Sequence, residues 1–138
     1  MWWGNISLDR TNGIQSLIAI SRKFFGESGI ATYLPITFGS VLMLLITYYL
    51  HKQLIDKKFP LISSLILSTT YLWLNYSHMA TQDIIFASLT TLGVFASIKS
   101  FKTKKEIYLF FSGAWIGLSV MMKTYLVIIP LIAITHFL

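Results

Sequence analysis

Cysteine is absent from the 138 residues, which excludes disulfides, thiolate metal sites and cysteine nucleophiles. Charge is scarce: only 12% of the chain is Asp, Glu, Lys or Arg, and only five residues are acidic. So few carboxylates leave no pair on one helical face for acid–base work. An HExxH helix, a glycine-rich phosphate loop and a serine nucleophile elbow are also missing. No repeat or low-complexity tract interrupts the chain. The first 27 residues carry Asp9, Arg10, Arg22, Lys23 and Glu27 without an apolar core ahead of a small-residue cleavage site, which argues against a secretory leader.

What remains is apolar. The chain is 55% hydrophobic with a mean hydropathy of +0.69. A soluble domain of this size has too much surface for its volume to hide such a composition. A bilayer removes the difficulty by acting as the solvent. The net charge of +6 would suggest nucleic acid in a soluble protein. Here the basic excess lies in short gaps between apolar runs, so the expectation is membrane lipid as partner and no nucleic acid.

Five stretches carry no Asp, Glu, Lys or Arg: residues 28–50, 59–82, 84–98, 107–122 and 124–138. Backbone polar groups in lipid must be satisfied internally, so these read as helices. The predicted fold is an all-α integral membrane protein with spans at about 30–50, 60–77, 83–98, 107–122 and 124–138. Pro35 is placed in the first turns of the first span, Pro60 opens the second and Pro130 is expected to kink the fifth. Residues 12–25, NGIQSLIAISRKFF, read as an amphipathic helix lying in the membrane interface, with Gly26 as its C-cap. The chain thus divides into an outer-side interfacial segment, 1–28, and a transmembrane bundle, 29–138. Leu138 closes the sequence inside an apolar run, which reads as part of a longer protein.

The gaps 51–58 and 99–106 hold Lys52, Lys57, Lys58, Lys99, Lys102, Lys104 and Lys105. By the positive-inside rule both face the cytoplasm. The other two gaps carry one charge each, Asp83 and Lys123, and both fall at the outer ends of neighbouring helices. The plain readings are helix capping for Asp83 and a snorkelling loop lysine for Lys123. Against them, Lys123 sits among Met121, Met122, Thr124 and Tyr125, and a charge in so apolar a setting faces a cavity or a partner. His78, alone near an interface, reads as a hydrogen-bonded residue ahead of a metal ligand, and His51 and His136 carry no signal. Trp73, Tyr71, Tyr76, Trp115 and Tyr108 are accounted for as interface belts and packing.

Four pieces of the sequence, in order, resemble a known superfamily. They are LDRTNGIQSLIAISRKFFGESGIATYLPITFGS (8–40), ITYYLHKQLIDKKF (46–59), HMATQDIIFASL (78–89) and GLSVMMKTYLVIIP (117–130). Together they are similar to membrane glycosyltransferases of the dolichyl-phosphate-mannose protein mannosyltransferase and aminoarabinose transferase superfamily. Thr11-Asn12 stands where those proteins carry a Pro-Pro pair, Thr32-Tyr33 replaces their usual Arg, and Thr124 replaces the Gly after Lys. The resemblance implies part of a C-type glycosyltransferase fold that moves a sugar from a polyprenyl-phosphate-linked donor to an acceptor on the extracytoplasmic side. It also implies residence in a plasma membrane of the bacterial inner-membrane kind. It assigns Arg10 to a phosphate contact at the surface, and Asp83 and Lys123 to the donor cavity beneath it. The superfamily's catalytic acidic residue would precede residue 1, leaving the catalytic residue of this chain unknown and the isolated chain inactive. A divalent metal belongs, if anywhere, to a full-length protein. Two rival readings stand beside this one. One is a small transporter or flippase-like subunit gated by Asp83 and Lys123; the other is a membrane scaffold without chemistry.

Overall fold

The computed structural model describes residues 13–55, 57–79 and 81–123, with 128, 132, 134 and 135 beyond them; of His78 it describes the backbone alone. The described residues form six helices and no strand: α1 (Gly13–Phe25), α2 (Gly29–Leu54), α3 (Pro60–Thr69), α4 (Tyr71–His78), α5 (Asp83–Thr103) and α6 (Glu106–Met122). The segment expected to form a fifth span, with Pro130, falls largely outside the described residues.

Local chemistry sets the helix ends. Gly26 takes φ +78°, a backbone region open to glycine without steric cost, and lets the chain turn after α1. Ser28 then caps α2, its Oγ accepting from the Ala31 N–H at 3.2 Å. Pro35 lies seven residues into α2, in its second turn, so the Ala31 carbonyl loses its i+4 donor while the helix continues. At 26 residues α2 is about 39 Å long, and the 21 residues of α5 reach about 31 Å; both match a hydrocarbon core of about 30 Å. The basic gaps prove to be partly helical. His51 and Lys52 end α2, and Lys99 and Lys102 lie in α5, with Lys102 in its last turn, where the helix dipole favours cations.

The uncharged stretch 59–82 does not form one helix. It breaks at Thr70, whose backbone is extended (φ −67°, ψ 131°) between α3 and α4. The sequence offers no glycine or proline there. Instead, the Thr69 and Thr70 hydroxyls bond back to the Leu65 and Ile66 carbonyls at 2.9–3.0 Å. Such side-chain bonds compete with the helix ladder.

The interior mixes small polar residues with isoleucine. Ser40, Ser88, Ser97, Ser112 and Ser119 are buried. Among the described residues, no buried side chain is Leu, Phe, Tyr or Trp, and Phe110, Leu61 and Tyr71 are exposed. Isoleucines fill much of the remaining interior, and the small residues among them let helix backbones approach closely, as packing in lipid favours. α5 is the central helix, packed most extensively on α6 and then on α2. Gly93 allows the closest approach: a Cβ there would stand 2.6 Å from Ile116 Cγ1 and 3.3 Å from the Ser112 carbonyl. Beside it Ser112 donates to the Gly93 carbonyl at 2.8 Å and shares a hydrogen bond with Ser97. Ile134, among the few described residues past 123, packs on Ile116. Ser64 donates to the Leu44 carbonyl at 3.0 Å, and His51 Nδ1 bonds Ser63, so α3 is tied to α2 through polar contacts that sequence reading did not single out.

Candidate functional site

The antiparallel run of α5 and α6 brings together two residues forty positions apart. Asp83 is the first residue of α5; Lys123 caps the end of α6. Lys123 Nζ donates to Asp83 Oδ1 at 2.7 Å, a full charge-assisted hydrogen bond. Asp83 is not the N-cap of its helix. Gln82 holds that position without a side-chain bond, while the Asp83 carboxylate turns to the lysine. It still lies in the first turn, where the helix dipole favours an anion. Lys123 is not a lone snorkelling side chain either. The two side chains remain about one-third exposed, at 27% for Lys123 and 36% for Asp83, so the pair is open to a ligand.

Beneath the pair, Ile14 of α1, Ile36 of α2, Ile85 of α5 and Met122 of α6 form a buried cluster. Ile85 and Met122 follow and precede the charged residues closely in sequence, so this cluster fixes the backbone that carries them. α1 joins it closely: a Cβ on Gly13 would meet the Met121 carbonyl oxygen at 2.6 Å. The start of α1 is therefore held against the end of α6. Arg10, three positions before Gly13, lies outside the described residues.

The pair opens on a cavity of about 430 Å³. α5 contributes Asp83, Ile84 and Ala87 to its wall, and Lys123 closes that side. Leu67, Thr70, Leu72, Trp73 and Tyr76 form the rest of the lining, on both sides of the helix break. Irregular backbone at membrane depth is tolerated where it lines a cavity, and the break at Thr70 falls on such a wall. Trp73 and Tyr76 were read from the sequence as belt aromatics. Trp73 and Tyr76 stand three residues apart on α4, one helical turn, but nothing in the sequence set that face against α5. Tyr71 does not line the cavity and is largely exposed.

Among the described residues no group of three or more His, Asp or Glu side chains comes together to hold a metal ion. The Asp83 carboxylate is engaged by a lysine.

Among the described residues two helices, α2 and α5, are long and apolar enough to cross a membrane, and the acid–lysine pair lies at one end of the helix bundle, which is consistent with an α-helical membrane protein. The sequence profile described as dolichyl-phosphate-mannose-protein mannosyltransferase matches residues 9–138, and the chain belongs to that family, one of membrane glycosyltransferases. No curated protein and no solved structure matches it.

Proposed function

We propose that this chain forms the donor-binding part of a C-type glycosyltransferase with five spans, which takes a sugar from a polyprenyl-phosphate carrier on the extracytoplasmic side. The observation that carries the reading is the Asp83–Lys123 contact at 2.7 Å on the wall of a largely apolar cavity. An ammonium has three N–H donors, and the contact with Asp83 uses one. The others serve oxygen atoms of a phosphate or sugar. The carboxylate lowers the cost of holding the lysine in an apolar setting while the cavity is empty. Arg10 supplies a second cation against the lipid phosphate, at the membrane surface. The docking of Gly13 against Met121 supports this, because it anchors the start of α1 at the end of the bundle where Lys123 lies. Orientation follows from lysine counting: the Lys-rich ends of α2 and α5 face the cytoplasm, and Asp83 and Lys123 face outward.

The reading is tested by transfer assays on the complete protein in membranes. Arg10→Ala is expected to raise the apparent KM for the lipid-linked donor, and Arg10→Lys to retain most function. A charged hydrogen bond of this kind contributes about 1.5–3 kcal/mol. Unchanged donor dependence in Arg10→Ala would return Arg10 to headgroup anchoring. The broken helix beside the cavity favours a second reading, a transporter, since discontinuous helices build many transport sites. Uptake of a sugar phosphate into vesicles without transfer to any acceptor would favour that alternative.

A further inference from the structure

The cavity has two chemically different walls. On one lies the ion pair, with oxygen and nitrogen atoms open to a ligand. On the other lie Trp73 and Tyr76, the first half-buried and the second 38% exposed. An alkyl tail would pack on the aromatic wall but leave the ion pair unsatisfied. A bare phosphate would reach Lys123 but meet the negative charge of Asp83 and gain nothing from the rings. A hydroxylated ring matches both walls. Its C–H face carries slight positive charge and is attracted to the negative face of an aromatic ring. Its hydroxyls donate to a carboxylate and accept from an ammonium.

We propose that Trp73 and Tyr76 are a stacking platform for the sugar ring of the donor, opposite Asp83 and Lys123, and that they determine which ring is accepted. The proposal rests on the glycosyltransferase reading above and adds to it the residues that recognise the sugar rather than the lipid phosphate. Trp73 and Tyr76 are three positions apart on α4, one helical turn, so they act as neighbours on one face. The break at Thr70 separates them from α3 and lets α4 take its own direction along the cavity.

The test is equilibrium binding to the full chain in lipid vesicles. The probes are farnesyl phosphate and farnesyl phosphate carrying mannose, glucose or arabinose. The wild-type chain should bind one sugar-bearing probe about tenfold more tightly than farnesyl phosphate, the scale of one or two aromatic contacts. Trp73→Leu and Tyr76→Leu should each reduce that preference severalfold and leave farnesyl phosphate binding unchanged, which also reports an intact fold. Trp73→Phe should keep most of it. If Trp73→Leu weakens both kinds of probe equally, the ring contacts the tail and the proposal fails. If the sugar preference survives both leucine variants, it also fails, while the donor reading stands. If no probe binds the wild-type chain, the donor reading fails and takes this proposal with it.

Discussion

The two ends of the helix bundle carry basic residues in opposite ways. At one end seven lysines crowd into two short segments, and the contacts of Lys102 and Lys99 there go to a backbone carbonyl and a ring face rather than to a carboxylate. Lys102 donates to the Gln53 carbonyl, and Lys99 sits 4.6 Å from the centre of the Tyr108 ring. At the other end one lysine is held by one carboxylate, forty residues away in sequence, over a cavity. Abundant cations at a membrane surface orient a protein and tolerate exchange. A single cation among methionines needs a specific partner, because hydrocarbon offers no solvation. The comparison teaches that the density of charge marks orientation, whereas its isolation marks the site.

The largest expected contrast is in activity. Asp83→Asn or Lys123→Met should lower transfer by the complete protein by roughly ten- to a hundredfold, comparable to losing a charge-assisted contact in a site. Lys52→Gln and Lys105→Gln, both at exposed positions, should each change it less than about twofold, since exposed substitutions stay within about 0.5 kcal/mol. A comparable loss at the lysine-rich end would erase the distinction. Sidedness comes next. Lys57→Cys and Lys104→Cys should resist an impermeant thiol reagent in intact cells, and Ser77→Cys should react; labelling at 57 or 104 from outside would invert the orientation. Between the ends, Gly93→Leu should destabilise the bundle by about 1–3 kcal/mol, read from thermal unfolding in detergent, because its side chain would overlap Ile116 and the Ser112 carbonyl. A neutral result would show that α5 and α6 separate easily. The smallest effect belongs to Lys104, which ends α5 in the left-handed region at φ 53°. Lys104→Gly should raise stability by up to about 1 kcal/mol at the lysine-rich end alone; a clear loss would mean that the Lys104 side chain holds a contact worth more than the strain.

Much of this was legible in the sequence because lipid imposes strict rules on charge and backbone. The apolar stretches predicted helices, and the described residues are helical throughout their regular elements. That Lys123 faces a cavity or a partner followed from the cost of isolating a charge among apolar residues, and it meets Asp83. Other features were hidden by chemistry that looks the same in two roles. Threonines in an apolar run are ordinary span residues, yet Thr69 and Thr70 draw on the carbonyls of the preceding turn where the helix breaks. Trp73 and Tyr76 near a span end pass for belt residues, and only the position of α5 and Lys123 turns them into a cavity wall. Gln82 was overlooked as the cap of α5 because Asp83 has the stronger capping chemistry, and that carboxylate is drawn to the lysine instead. The seam at Gly93 was silent because a glycine in an apolar helix does not announce its neighbour.

The most direct measurement is a double-mutant cycle on Asp83→Asn and Lys123→Met, with the chain in membranes and thermal unfolding as the readout. Neutralising one partner leaves the other half-buried and uncompensated. Each single variant should therefore lose roughly 1–3 kcal/mol, less than for a fully buried pair because about a third of each side chain is open. The double variant should be no less stable than either single, giving a coupling of about 1 kcal/mol or more. Strictly additive losses would mean that the two charges act independently, and would contradict the paired, cavity-facing site on which the account rests.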